Sequence, residues 1–303
     1  MTGKPFKTLD ELVALLTVDR GLSCDNPDEL REFLSRTNYY RLSGYARQFQ
    51  VSPRYGDNRF VQGSSFEQIR MIMSLDDELR SHLMQSLAVV EIGIRAALAY
   101  QYGKTYGATA FYLDTDFYRD EQSRVRDIPL DIVKGIIRDF SRSRSPMLQR
   151  YVGETKPEDN LESQIAYYSK VPIWVAVELV SFGKISNMLS NYADIAPAKE
   201  AAKSFEIQWD PFASTVHALH YLRNMCAHHR QLWNRRPDVQ CTVQKKQRPR
   251  RVSFELNSFY SHIIMLNLYR KKLDGDSDQA EAIARILDSS QIYGKGIMDP
   301  RPK

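Results

Sequence analysis

At 303 residues, with 43% hydrophobic and 26% charged positions, the chain has the composition of a globular protein, and its length allows one large domain or two closely packed ones. No run reads as a membrane span, the N-terminus Met1-Thr2-Gly3-Lys4-Pro5-Phe6-Lys7 lacks an apolar secretory core, and Cys24, Cys226 and Cys241 are odd in number and isolated, so a cytoplasmic protein with no membrane, disulfide or thiolate-zinc chemistry is expected. The net charge of +5 is concentrated: His217 to Arg251 holds nine bases against one acid, Asp238, a surplus of +8 that leaves the remainder of the chain at −3.

Helical spacing begins at Leu9 to Leu16, and Asp25-Asn26-Pro27 reads as a cap with proline in the first turn of a second helix. An aromatic block, Asn38-Tyr39-Tyr40-Arg41-Leu42-Ser43-Gly44-Tyr45, precedes a loop or small hairpin at Pro53 to Gly63. Ser64 and Glu67 form a capping-box pattern, and the series Ile72, Leu79, Leu83, Leu87, Val90, Ile94, Ala97 predicts one long amphipathic helix to Gly103. Glu91 and Arg95 lie four apart on it, as a helix-stabilising pair or as support for catalytic groups. Residues 106–160 are less periodic, with a break at Ser141 to Pro146. A helix from Pro172 to Val180 carries Glu178 in an apolar run and is interrupted by Gly183; further helices are expected at Phe254 to Lys272 and Asp278 to Leu287. Strand signals are scarce, so the fold is expected to be all-α. Its parts are an N-terminal helical and aromatic layer (1–63), a helical domain with short irregular insertions (64–290) and a polar tail (291–303).

The chemistry concentrates in Arg223-Asn224-Met225-Cys226-Ala227-His228-His229, expected on a helix that starts near Asp210-Pro211 and Ser214. At 100° per residue, Leu219, Leu222, Cys226, His229 and Trp233 share the core face, while His217, His220, Asn224 and Gln231 lie opposite, flanked by Arg223 and His228. This makes His228 the functional imidazole and gives Cys226 and His229 packing roles, with His229 kept beside Glu91, Arg95 and Glu178 as a candidate for support. Histidine titrates near neutrality and can take the proton of an RNA 2′-hydroxyl or deliver one to the 5′-leaving oxygen. Arginine offers forked donors to the non-bridging oxygens as charge develops. Asn224 completes the catalytic set with Arg223 and His228, holding a phosphate or the imidazole tautomer. Such a reaction uses the RNA's own 2′-oxygen and needs no metal or other cofactor. The basic residues Arg230, Arg235, Arg236, Lys245, Lys246, Arg248, Arg250 and Arg251 are the expected RNA-binding footprint.

An Arg followed by four to six residues and a His arises by chance on the order of once in a chain of this size; the helical setting, Asn224 and the local basicity give it weight. None of His82, His217, His220 and His262 has an arginine five to seven positions before it, so the motif occurs once, and a site needing two copies predicts a symmetric homodimer. Other readings remain open: a non-catalytic RNA-binding protein acting through residues 217–251, a metal site on His217, His220 and His228, and a helix whose histidines are only surface groups.

The stretch Arg223 to Asn234 resembles the signature of the Abi-like (AbiD/AbiF) abortive-infection proteins of bacteria. The block Asn38 to Tyr45 and the block Pro172-Ile173-Trp174-Val175-Ala176-Val177-Glu178-Leu179-Val180-Ser181-Phe182-Gly183 resemble that family in the expected order; Lys184 departs from the small polar residue often found there. The resemblance implies a HEPN-like helical bundle whose Arg-x4-His motif forms a composite ribonuclease site in a dimer, as in type VI CRISPR effector nucleases. It implies Arg223, Asn224 and His228 as the site, a phage-defence toxin that cuts RNA, and, for some relatives, a small non-coding RNA; an antitoxin is the other partner to look for.

Overall fold

The computed structural model describes residues 5–119, 127–155, 157–275 and 277–302. Helix α1 (Leu9–Ala14) is closed by a capping box, in which Thr8 Oγ1 accepts from Glu11 N and Glu11 accepts from Thr8 N. Helix α2 (Pro27–Arg36) starts from Asn26, whose side chain accepts from Asp28 N, with Pro27 in the first turn. The aromatic block forms α3 (Tyr39–Ala46). An antiparallel hairpin of β1 (Gln50–Ser52) and β2 (Asp57–Phe60), with Gln50 opposite Phe60, is the one sheet among the described residues.

Helix α4 (Phe66–Tyr106) is 41 residues long and organises the molecule. Its cap is Ser65, one residue later than the sequence pattern placed it; Glu67 accepts from Asp25 N instead of closing a box on Ser64. After it come α5 (Ile128–Arg142), α6 (Pro146–Gln149), α7 (Leu161–Tyr168), α8 (Ile173–Leu179), α9 (Phe182–Asn191) and α10 (Ala196–Ser204). The chain ends with α11 (Phe212–Ala227), α12 (Phe259–Asp274), α13 (Asp278–Asp288) and α14 (Gln291–Met298). The fold is all-α. Residues 291–303 are not merely a polar tail: Ser290 caps α14, and Tyr293 and Ile297, four apart, are buried. Two apolar residues are too few to announce a helix by periodicity.

By length and composition α4 is apolar enough to cross a membrane. Its apolarity is used by packing: Ile72, Leu79, Leu83, Leu87, Val90 and Ile94 are buried, and α8, α10, α11, α12 and α13 all lie against it. Each such residue contributes about 1.5–3 kcal/mol on burial. Helix α5 has the same logic, with Ile132, Val133, Ile136, Ile137 and Phe140 buried, in a region whose sequence gives few periodic signals.

One core group makes the fold pH-sensitive. His262 of α12 is fully buried beside Tyr221 and Phe259, and burial pulls its pKa down to about 4. The folded chain therefore excludes a proton that the unfolded chain binds below pH 6.5. The contribution is intact above that value and is lost as pH falls toward 4, by about 3 kcal/mol at about 1.4 kcal/mol per unit. Urea unfolding of wild type against His262→Phe at pH 7 and pH 4.5 is expected to show the shallower pH dependence in the variant.

Candidate active site

Helix α11 ends at Ala227, so the motif sits at a helix end and not within a continuing helix. Arg230 N donates to Met225 O (2.9 Å) and His229 N to Cys226 O (3.0 Å), the paired closure of a Schellman motif, with His228 as the cap residue. The left-handed position that glycine usually fills is occupied by His229, with φ of 51°. A non-glycine there costs roughly 1 kcal/mol, and the missing glycine is why the stop is invisible in the sequence. Assigning His229 to the core face assumed that the helix ran on; the turn instead leaves both His228 and His229 exposed. Trp233 is buried as expected, but by a different path.

The strained turn is fixed by neighbours. Arg41 donates to the His229 carbonyl and, at 3.1 Å, to Asp77. Arg80 Nη1 donates to Arg230 O at 3.1 Å. Asp76, fully buried on α4, accepts from Leu232 N (3.0 Å), Trp233 N (3.1 Å), Tyr45 OH (2.6 Å), Tyr293 OH (3.0 Å) and Arg80 (2.5 Å). Burial, reinforced by the Asp76 charge, drives the Tyr45 and Tyr293 phenols well above their usual pKa, so both remain donors. Sequence reasoning passed over this cluster. Its signal was present: Asp76 and Arg80 are charged residues four apart on the buried stripe of α4, where unpaired charge is not tolerated.

On the other side of α11 the motif arginine is held from below. Glu91 Oε1 accepts from Arg95 (2.6 and 3.2 Å), while Glu91 Oε2 lies 3.8 Å from Arg223 Nε. Arg95 is buried and donates to the Val177 and Val180 carbonyls at the end of α8. Arg223 Nη1 donates to Asn224 Oδ1 (3.4 Å), and Asn224 Nδ2 faces His220 Nε2 at 2.8 Å. Arginine only donates, so the amide must turn its oxygen to Arg223 and its nitrogen to His220, whose Nε2 then accepts. Burial lowers the His220 pKa, and His217 and Arg223 act in the same direction, which keeps that ring neutral. Gly183 makes room for it: a Cβ there would lie 2.7 Å from His220 Nε2. Gly183 therefore does not interrupt a helix; it sits in the first turn of α9, which Ser181 caps.

The three blocks that are distant in sequence thus meet around the end of α11. Tyr39 to Tyr45 supplies Arg41 and Tyr45 to the turn, and residues 172–183 supply the α8 carbonyls and Gly183. Arg223 keeps 40% of its side chain exposed, and His228 is exposed with no side-chain partner among the described residues. Glu178 is elsewhere, exposed in a groove with Trp174 and Tyr100. Cys226 is buried, and burial raises its thiol to about 12, which removes it as a nucleophile. His217 faces Ser186 Oγ at 3.3 Å and His220 is turned to Asn224; no group of three His, Cys, Asp or Glu among the described residues is arranged to hold a metal ion.

Beyond the turn, residues 228–258 form a strap with one 3-10 turn at Lys245–Gln247, pinned by buried Leu232, Trp233, Cys241 and Val243. Its cations point outward: Arg230, Arg236, Lys245, Lys246, Arg248, Arg250 and Arg251 are exposed, and Arg235 lies 3.8 Å from Asp238.

A family model described as Abi-like protein matches residues 32–234, two-thirds of the chain, and spans all three blocks. No curated protein and no solved structure matches. The chain belongs to the family of Abi-like proteins, which ties it to abortive infection, a defence of bacteria against phage.

Proposed function

We propose that this Abi-like protein is a metal-independent endoribonuclease, the effector of its defence role. The observation that carries the reading is the end of α11: a guanidinium braced by Glu91 yet open to solvent, followed five residues later by an exposed imidazole with no side-chain partner among the described residues, with the cationic strap continuing from it. The RNA 2′-oxygen attacks phosphorus as His228 takes its proton; the P–O5′ bond breaks, and O5′ leaves with a proton from an imidazolium. The products are a 2′,3′-cyclic phosphate and a 5′-hydroxyl. Arg223 stabilises the extra negative charge on the non-bridging oxygens. The Asn224 amide is already engaged between Arg223 and His220, so it is a positioning residue for Arg223. Each chain offers one such imidazole; a homodimer with the two helix ends facing each other supplies both the acid and the base.

Purified protein incubated with RNA in EDTA is expected to produce fragments ending in cyclic phosphate, with a rate per chain that falls on dilution below the dimer range. Cleavage no greater than that of His228→Ala would sink the proposal. Retained RNA binding in that case would mark the chain as a binding protein acting through its 217–251 cations.

A further inference from the structure

A cleft of about 530 Å³ opens between α5 and α9 and ends on His220, the same imidazole that Asn224 ties to Arg223. One wall is apolar, from Ile128 and Ile132; Asp131 and Asn187 line it with side chains that have no partner among the described residues. A phosphate does not suit this cleft. Lys184, the cation on its lining, is paired with Asp139 at 2.8 Å, and Asp139 also accepts from Ser181 N at the start of α9. An anion would instead meet the exposed Asp131 carboxylate, which has no cationic partner among the described residues. A flat neutral ring suits it: its faces contact the isoleucines, its exocyclic amino hydrogens find Asp131, and Asn187 offers one donor and one acceptor.

We infer that this cleft is a nucleobase pocket, taking a base that carries an exocyclic amino group, from the RNA strand beside the scissile phosphate. The inference rests on the ribonuclease reading for the origin of the base, but not for the chemistry of the pocket. RNA is read in single-stranded stretches whose bases can be turned out into such clefts. The line from the cleft through His220 and Asn224 to Arg223 joins base recognition to the group that meets the phosphate. The strap cations hold the backbone, and the cleft selects where along it the cut falls. The same chemistry would admit a free mononucleotide, so the test separates the two sources.

Two measurements do so. First, AMP, CMP, GMP and UMP are titrated calorimetrically into His228→Ala protein, which binds without cutting. The three amino-bearing nucleotides are expected to bind roughly fivefold or more tighter than UMP, the low end for one good polar pair. Gly135→Leu, whose Cβ would lie 3.0 Å from Lys184 Cε and so crowds that side chain on the cleft lining, is expected to weaken them by about tenfold, and Asp131→Asn to erase the preference. Second, the cut sites of the His228-containing chain on random-sequence RNA are mapped. One position beside the cut is expected to be poor in uridine, and Asp131→Asn to lose that bias. Circular dichroism melting of both variants checks that each is folded. No binding at millimolar nucleotide, or binding unaffected by Gly135→Leu, overturns the pocket. Binding with an unbiased cut-site profile overturns the RNA source and assigns the cleft to a free nucleotide. A chain that binds nucleotides in the cleft but cuts no RNA refutes the ribonuclease reading and leaves the pocket standing.

Discussion

Asp76→Ala is expected to destabilise the protein by about 3–5 kcal/mol, the range for removing one partner of a buried ion pair. The carboxylate is fully buried and accepts five hydrogen bonds, two of them from the backbone N–H groups of Leu232 and Trp233. Its loss leaves the Arg80 guanidinium with the half-exposed Asp77 as its remaining carboxylate and orphans two amides and two phenols. Urea unfolding measures the total, and a loss below about 1 kcal/mol would refute the account. The double variant Asp76→Leu with Arg80→Met separates the two parts of the effect. Replacing a buried pair by apolar residues is often neutral. Here it is expected to remain about 2 kcal/mol below wild type, because the orphaned amides persist. Since those amides belong to the strap that leaves the motif, RNA cleavage is expected to fall as well, even where the variant remains folded.

Arg223→Ala is expected to reduce RNA cleavage by roughly 10²–10³-fold, the usual loss when one donor to a developing oxyanion is removed. Stability is expected to change by less than about 1 kcal/mol, because a half-exposed arginine 3.8 Å from Glu91 is a weak pair. Arg223→Lys distinguishes a fork from a bare charge. The guanidinium can face Glu91 with Nε and Asn224 with Nη1 and still present hydrogens outward, whereas an ammonium has no such spread. Lysine is therefore expected to remain at least tenfold below wild type. Single-turnover cleavage with a parallel melting curve reads both quantities; full activity in the lysine variant, or a melting loss that matches the activity loss, would assign Arg223 a role in folding.

Where periodicity ran long, as in α4, or punctuation was explicit, as at Asn26-Pro27, the helices of the chain could be read from residue types. Helix α14 could not, since its two buried apolar side chains, Tyr293 and Ile297, make a pattern any loop could carry. The end of α11 was hidden for another reason. A stop is normally written as glycine, and here His229 adopts the left-handed conformation because Arg41, Arg80 and Asp76, all distant in sequence, hold the turn closed. The pairing of Glu91 with Arg95 was open to inference from their spacing, but the approach of Glu91 to Arg223 and the hold of the α8 carbonyls on Arg95 were not, because backbone acceptors and long-range packing leave no trace in residue identity. The polar face of α11 that carries His220 is legible in the sequence, but its role is left open there; the approach of Gly183 reveals that the ring is covered.

The dependence of the strap on α14 has a bearing on synthesis. Tyr293 closes the cage around Asp76, and Trp233 Nε1 donates to Ile292 O at 3.2 Å, so the turn after His228 is complete only when residues near 293 are present. A ribosome extends a chain by about 5–20 residues per second, so the motif leaves it roughly 3–12 s before the clamp can form. During that interval the nascent protein carries Arg223 and His228 without the scaffold that aims them. Under the proposed ribonuclease activity, a geometry that waits for a late helix would keep the chain inert beside the messenger and ribosomal RNA among which it is made.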